Sequence, residues 1–271
     1  MRRDVTGRVV LITGAAGGLG AELCRCLAAA GARVAAQDVD AARLDGLVAA
    51  LREAGTEALA IPGDVADPAA CKGMVETVLG RWGNLDGLIN NAGVSHRSLL
   101  ADTDPAVIRR VMEVNFLGAA NLTCAALDAI VARRGFIVAV SSVAGFSPLV
   151  GRTGYAASKH AMHGFFDSLR SEVEGAGVNV TLVCPSFIRT GIGAAATDGS
   201  GAPASGPRIT TGGESSPEDI ARGIVVAVAT RRALLLPDAT SRKAWWLSRL
   251  APRLYAKIMK RRVGAEFRRL P

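Results

Sequence analysis

The chain has 271 residues, 49% hydrophobic and 21% charged, enough to bury one large core without requiring a second domain. Its formal net charge is +8, but Arg231 to Pro271 alone carries twelve Lys or Arg against Asp238 and Glu266, or +10, which leaves residues 1–230 at −2. The basic character therefore belongs to one end, and the five cysteines, at 24, 26, 71, 124 and 184, lack metal-ligand spacing and read as reduced buried thiols.

Taken in chain order, Met1-Arg-Arg-Asp-Val-Thr-Gly7 enters the first strand too soon to be a secretory signal. Arg8 to Thr13 reads as a buried strand that runs into the glycine turn Gly14-Ala-Ala-Gly-Gly-Leu-Gly20 and then a helical stretch, Ala21 to Ala30. Further strand-like runs at Val34–Gln37, Ala58–Ile61, Gly87–Ile89, Phe136–Val140, Val178–Val183 and Ala233–Leu236 alternate with helical segments. This alternation predicts an α/β fold, a doubly wound parallel β-sheet of about seven strands with helices on both faces, spanning residues 1–237. Phe136–Val150 is too short to cross a bilayer, and Ile220–Leu236 is interrupted by Arg222, Arg231 and Arg232, so a cytoplasmic protein is expected. His96, His160 and His163 are scattered, which favours packing or surface roles over metal binding.

Residues 238–271 form a basic amphipathic extension in which Trp245, Trp246, Leu247, Leu250, Leu254, Tyr255 and Ile258 interleave with Lys and Arg, and Pro252 separates two short helices. Three readings stay open for it: a docked extension packed on the body or on a neighbouring subunit and closing a site, peripheral membrane contact, or nucleic acid. The last lacks any recognition motif and is not expected.

The strand–glycine turn–helix arrangement is suited to a pyrophosphate, because glycines allow the backbone to approach it and the helix N-terminus carries partial positive charge. Asp38, at the end of the second strand, stands where a ribose-binding acid is expected. Tyr155-Ala-Ala-Ser-Lys159 puts a phenol and an ammonium one helical turn apart on one face. A free tyrosine has a pKa of about 10, so acting as a base near neutrality requires about 4 kcal/mol of differential stabilisation, which a nearby cation can supply.

With these motifs the chain resembles a standard-length, single-domain short-chain dehydrogenase/reductase. The resemblance covers about residues 5–237 and rests on Thr13 to Gly20, Asn90-Asn-Ala-Gly93, Tyr155 with Lys159, and the spacings of Ser142 and Asn115 ahead of Tyr155. It implies a Rossmann fold and a catalytic set of Asn115, Ser142, Tyr155 and Lys159. Tyr155 is implied as the acid/base, Ser142 as the group that polarises the substrate oxygen, and Lys159 as the cation that lowers the tyrosine pKa and binds the nicotinamide ribose. Asn115 is implied as the anchor of a proton-relay water chain. Cofactor contacts are implied for Gly14, Gly18, Leu19, Gly20, Asp38, Asp64, Val65, Asn91, Ala92, Gly93, Tyr155, Lys159, Pro185, Ile188 and Thr190. The usual Pro-Gly after the sixth strand is here Pro185-Ser186.

Asp38 accepts ribose hydroxyls and repels a 2'-phosphate, Gly17 stands where NADP-using members commonly carry a basic residue, and Val39-Asp40 adds no cation, so NAD is expected rather than NADP. The segment 191–216, poor in charge and containing Ile192 and Ile209, reads as a mobile substrate lid. The expected substrate is a small hydrophobic, steroid- or lipid-like secondary alcohol or ketone. Alternatives are a β-ketoacyl thioester reductase using NADPH, and a non-catalytic cofactor-binding scaffold. The resemblance further implies a homotetramer or homodimer built through the helices containing Phe116 and Phe165.

Overall fold

Seven parallel strands, β1 (Val9–Thr13), β2 (Arg33–Asp38), β3 (Ala58–Pro62), β4 (Gly87–Asn90), β5 (Phe136–Val140), β6 (Asn179–Val183) and β7 (Leu234–Leu235), form one sheet in the order β3-β2-β1-β4-β5-β6-β7. The structure, a computed structural model, describes residues 5–189, 193, 195–205, 210 and 213–263. Register is continuous, with Val9 opposite Arg33 on one side of β1 and Val10 opposite Gly87 on the other. The winding direction reverses between β1 and β4, so a crevice opens at their C-terminal ends, where open α/β sheets take ligands.

Side-chain alternation explains how one sheet carries two cores. Val10 and Ile12 of β1 join a cluster under α1 (Gly18–Ala29), α2 (Ala41–Glu53) and α7 (Pro217–Ala229). Val9 and Leu11 face the other way, into a cluster with α3 (Pro68–Trp82), α5 (Gly118–Ala132) and α6 (Thr153–Val173). Short polar residues start several of these helices. Asp67 accepts the Ala69 and Ala70 amides ahead of Pro68, and Ser216 accepts the Asp219 amide ahead of Pro217.

Helix α4 (Pro105–Met112) continues through a π-helical turn, Glu113–Leu117, into α5. The joined run, Pro105–Ala132, is long and apolar enough to cross a membrane by length and composition, a property invisible while its parts are read separately. In the fold Val111, Leu122, Ala126 and Ile130 on it are buried.

Within the segment expected as a substrate lid, described residues contact the body of the protein. Thr197 bridges to His96 and Pro203, and the Asp104 amide donates to the Gly199 carbonyl at 2.8 Å. A Cβ at Gly199 would collide with the Asp102 carbonyl, so only glycine permits this approach. Ile192, Ile209 and Thr190 lie outside the described residues. Among the thiols, Cys24, Cys71 and Cys184 are buried, whereas Cys26 is half-buried and Cys124 is exposed on the outer side of α5. That exposure corrects the expectation of uniformly buried thiols; the reason is that Cys124 faces away from the sheet.

The C-terminal extension forms two helices, α8 (Ala239–Leu250) and α9 (Pro252–Val263), broken at Pro252 as its ring requires. Ala244, Tyr255 and Met259 are buried against Val143, Phe146, Leu149 and Val150, so the extension packs on the body of its own chain.

Candidate active site

The C-terminal ends of β1 and β4 are stitched together by their own motif residues. Thr13 Oγ1 accepts the Asn91 and Ala92 amides at 3.0 and 2.9 Å, and Asn91 Nδ2 donates to the Thr13 and Gly14 carbonyls at 2.9 and 3.1 Å. Gly14 sits at φ +64°, and a Cβ there would lie 2.8 Å from the Ala92 Cα. At Gly20 a side chain would run into the Gly14 carbonyl oxygen. Gly17 differs, since a Cβ would meet nothing nearer than 3.9 Å, and it borders the open crevice. The first and last glycines thus shape the turn, while Gly17 leaves room for a ligand.

This crevice belongs to a cavity of about 860 Å³ that runs from the glycine turn past the ends of β4, β5 and β6 to the C-terminal helices. Gly14, Gly18, Leu19, Gly20, Asp38, Asp64, Val65, Asn91, Ala92, Gly93, Ser142, Tyr155, Lys159, Pro185 and Ile188 all line it. The structure therefore brings every described residue of the expected set to one wall except Asn115, which is fully buried behind it.

Asp38 has a second role that sequence does not reveal. One carboxylate oxygen accepts the Ala16 amide at 2.9 Å and the other the Asp40 amide at 3.1 Å, so it holds the glycine turn as well as facing the crevice. Asp64 pairs with Arg110 Nη2 at 2.9 Å. Burial opposes its charge, but the Ala66 amide and Arg110 outweigh burial and hold its carboxyl below the usual range. A glycine turn open at Gly17, a helix N-terminus beside it and a carboxylate at the end of β2 fit a dinucleotide.

Helix α6 carries Tyr155 and Lys159 on one face, with Lys159 Nζ 5.8 Å from the tyrosine ring centroid. Lys159 is buried, donates to the Val140 carbonyl at 2.8 Å, and lies 3.5 Å from the Met162 sulfur. Desolvation pushes its pKa down from 10.5 to about 8. Ser142 follows β5, and its Oγ accepts the Ala144 amide at 3.2 Å, which starts a 3-10 turn and fixes the hydroxyl at the cavity wall. Asn115 occupies the π-helical turn, a distortion common at functional sites. Its oxygen accepts the Val94 amide at 2.7 Å, and its Nδ2 donates to the Val94 carbonyl at 2.9 Å and to Ser158 Oγ at 3.0 Å.

The start of α6 has no side-chain cap from Arg152 at its N-cap. His96 supplies the acceptor instead: its Nε2 takes the Gly154 amide at 3.0 Å, and its Nδ1 bonds Ser98 Oγ at 3.1 Å. Burial, helped by Arg152, holds the His96 pKa below its ordinary value and keeps the ring neutral for this purpose. Sequence spacing could not link residues 58 positions apart.

The far end of the cavity is built from residues that the motifs do not mark. Leu149, Phe187, Leu247, Ile258 and Met259 give it an apolar wall. Tyr255 closes the back, where its hydroxyl accepts from Ser147 Oγ at 3.0 Å. For Leu247, Tyr255, Ile258 and Met259 the signal in the sequence is the helical spacing of apolar residues in the extension; Leu149 and Phe187 lie in loops after β5 and β6 and carry none. Ser186, standing where glycine is usual, explains how that extension is held. Its amide and hydroxyl donate to the Asp238 carboxylate at 3.0 and 2.8 Å, and the same carboxylate caps α8 by accepting the Ser241 amide at 2.7 Å.

Among the described residues no group of three or more His, Cys, Asp or Glu could hold a metal ion. Fold and cavity together define a nucleotide-binding α/β protein with a tyrosine–lysine–serine cluster beside the nucleotide crevice. The family model for short chain dehydrogenases matches residues 8–200, and the chain belongs to that family. A dehydrogenase/reductase SDR family member 7B from Bos taurus is 39% identical over 274 residues, covering 98% of this chain and 84% of the relative. A dehydrogenase/reductase SDR family protein 7-like from Anopheles gambiae is 38% identical, covering 96% and 84%. A short chain dehydrogenase/reductase from Burkholderia phymatum, solved in complex with NAD, superposes with a TM-score of 0.84 at 27% identity, covering 93% of this chain and 96% of that one.

Proposed function

We propose that this protein is an NAD-dependent oxidoreductase that interconverts a secondary alcohol and a ketone on a hydrophobic, steroid- or lipid-like molecule, in the cytoplasm. The observation that carries this reading is one continuous cavity: Asp38 and the glycine turn border one end, Ser142, Tyr155 and Lys159 the middle, and an apolar wall of Leu149, Phe187, Leu247 and Met259 the other end. The NAD complex of the Burkholderia phymatum relative and the carboxylate of Asp38 support NAD over NADP.

When bound, the nicotinamide supplies the two-electron couple that exchanges hydride with the substrate carbon. Tyr155 takes the hydroxyl proton during oxidation and returns it during reduction. Ser142 Oγ donates to the substrate oxygen and orients it. Lys159 stabilises the phenolate of Tyr155 and would hold the nicotinamide ribose. Its lowered pKa of about 8 lets it pass protons near neutrality. Both Asn115 amide protons are already used, so it holds a relay water only as an acceptor. Gly14, Gly18, Leu19, Gly20, Asp64, Val65, Asn91, Ala92, Gly93, Pro185 and Ile188 are the remaining cofactor contacts we assign.

We also assign a homodimer or homotetramer to the outer face of α5 and α6. There Phe116 and Phe165 meet edge to face at 6.0 Å, beside a groove lined by Cys124, Leu127 and Leu169.

The test is reduced-nicotinamide absorbance with NAD and with NADP across hydrophobic secondary alcohols, steroids and β-ketoacyl thioesters, for wild type and Tyr155→Phe. The expected result is turnover with NAD on an alcohol or steroid that falls by at least about a hundredfold in the variant, while nucleotide binding is kept. Turnover confined to NADPH and a thioester would replace this reading with the acyl-reductase alternative.

A further inference from the structure

The inner side of the C-terminal extension is accounted for by the cavity; its outer side is not. Trp246 is 62% exposed, Leu250 78% and Leu254 51%, and these are three of the eight large hydrophobic residues left exposed among the described residues. Trp246 and Leu250 are four apart on α8 and share a face, and Leu254 follows on α9 just past the break. The two helices carry eight exposed Lys and Arg residues between Arg242 and Arg262, of which Arg249 lies over the inward Trp245 and Lys243 and Arg262 border the cavity, and no Asp or Glu occurs anywhere from Ala239 to Val263. Trp245, next to Trp246, turns inward instead. It packs edge-on to Phe146 at 4.9 Å and is covered by the Arg249 guanidinium, so the two adjacent indoles serve opposite sides of one helix.

We propose that the outer face of α8 and α9 docks on an anionic lipid bilayer. A tryptophan and two leucines ringed by cations match the interfacial region of a membrane, where an indole sits at headgroup level, leucines enter the acyl boundary and cations pair with lipid phosphates. A soluble protein partner would need acids in register with cations such as Arg242, Arg253, Lys257, Lys260 and Arg261 spread over two helices, whereas a fluid anionic surface meets them in any register. The same helices line the cavity: Lys243, Ile258 and Arg262 of the extension border it. Docking would therefore bring the substrate end of the cavity to the membrane surface. This rests on the proposed function only for the nature of the substrate. The docking itself needs no turnover.

The experiment is flotation of the full chain with vesicles of phosphatidylcholine alone and of phosphatidylcholine with phosphatidylglycerol, at low and high salt, comparing wild type with Trp246→Ala/Leu250→Ala/Leu254→Ala. Circular dichroism and size-exclusion chromatography run alongside check that the variant keeps its fold and assembly. The expected result is binding to the anionic vesicles only, weakened at least about tenfold by salt and again by at least about tenfold in the triple variant. Failure to float with anionic vesicles would overturn the proposal. So would equal binding by the triple variant, or a wild-type assembly that dissociates in that variant, which would make the face a contact between copies. Lost activity with intact flotation would bear on the function and leave the docking standing.

Discussion

Replacing Lys159 by Met removes a buried ammonium while keeping most of the stem that packs beneath Tyr155. With its pKa lowered from 10.5 to about 8, holding the charge in the folded state costs about 3 kcal/mol at neutral pH. Against that relief, the Val140 carbonyl loses the donor it has at 2.8 Å, which costs about 1–3 kcal/mol. The variant is thus expected to be as stable as wild type at pH 7, or more stable by up to about 2 kcal/mol, while losing activity. The pH dependence isolates the charge itself. Between about 8 and 10.5 the unfolded chain holds the Lys159 proton and the folded chain does not, so wild-type stability rises through that window and the variant lacks this contribution. The difference in unfolding free energy between the two proteins should shift by about 3 kcal/mol from neutral pH to the top of the window, whatever the carbonyl and packing terms are. Urea unfolding without nucleotide, in steps across that range, measures it. Parallel curves would refute the reasoning, because they would mean that Lys159 titrates in the fold as it does in the open chain.

Three further outcomes follow from the geometry. Asp38→Ala should reduce NAD use and raise relative kcat/KM for NADP by at least about tenfold, and because the same carboxylate holds the Ala16 amide, KM for both nucleotides should rise. Ser186→Gly, which removes the 2.8 Å hydroxyl bond to the cap of α8, should loosen the extension by about 1.5–3 kcal/mol locally. It should speed protease cleavage within residues 239–263 and raise substrate KM more than it lowers kcat, with the rest of the chain resistant. Acid should act on His96: its folded pKa is lowered, so the stability that it lends α6 is complete above its unfolded value of 6.5 and is lost as pH falls below it. Unfolding curves of His96→Asn should flatten over that range relative to wild type, and identical slopes would remove His96 as the cap.

Local order determined much of this molecule. Hydrophobic runs of strand length, punctuated by glycine and separated by helical stretches, dictate a parallel sheet, and each of the seven strands falls within about two residues of its run, because buried strands are nearly uninterrupted apolar segments. Gly14 and Gly20 are readable as well, since a backbone turning from strand to helix tolerates few side chains there. Tertiary structure alone decided what depends on distant parts of the chain meeting. His96 reaches the start of α6, Ser186 reaches Asp238, and Tyr255 reaches Ser147 across 108 positions. The joining of α4 to α5 through a π-helical turn, the pinning of Thr197 and Gly199, and the division of Trp245 from Trp246 belong to the same group. Spacing in the chain reports only which side chains share a helix face or a strand; which surface that face then meets is set by packing, and the two sides of the extension acquire different roles only once one of them is buried.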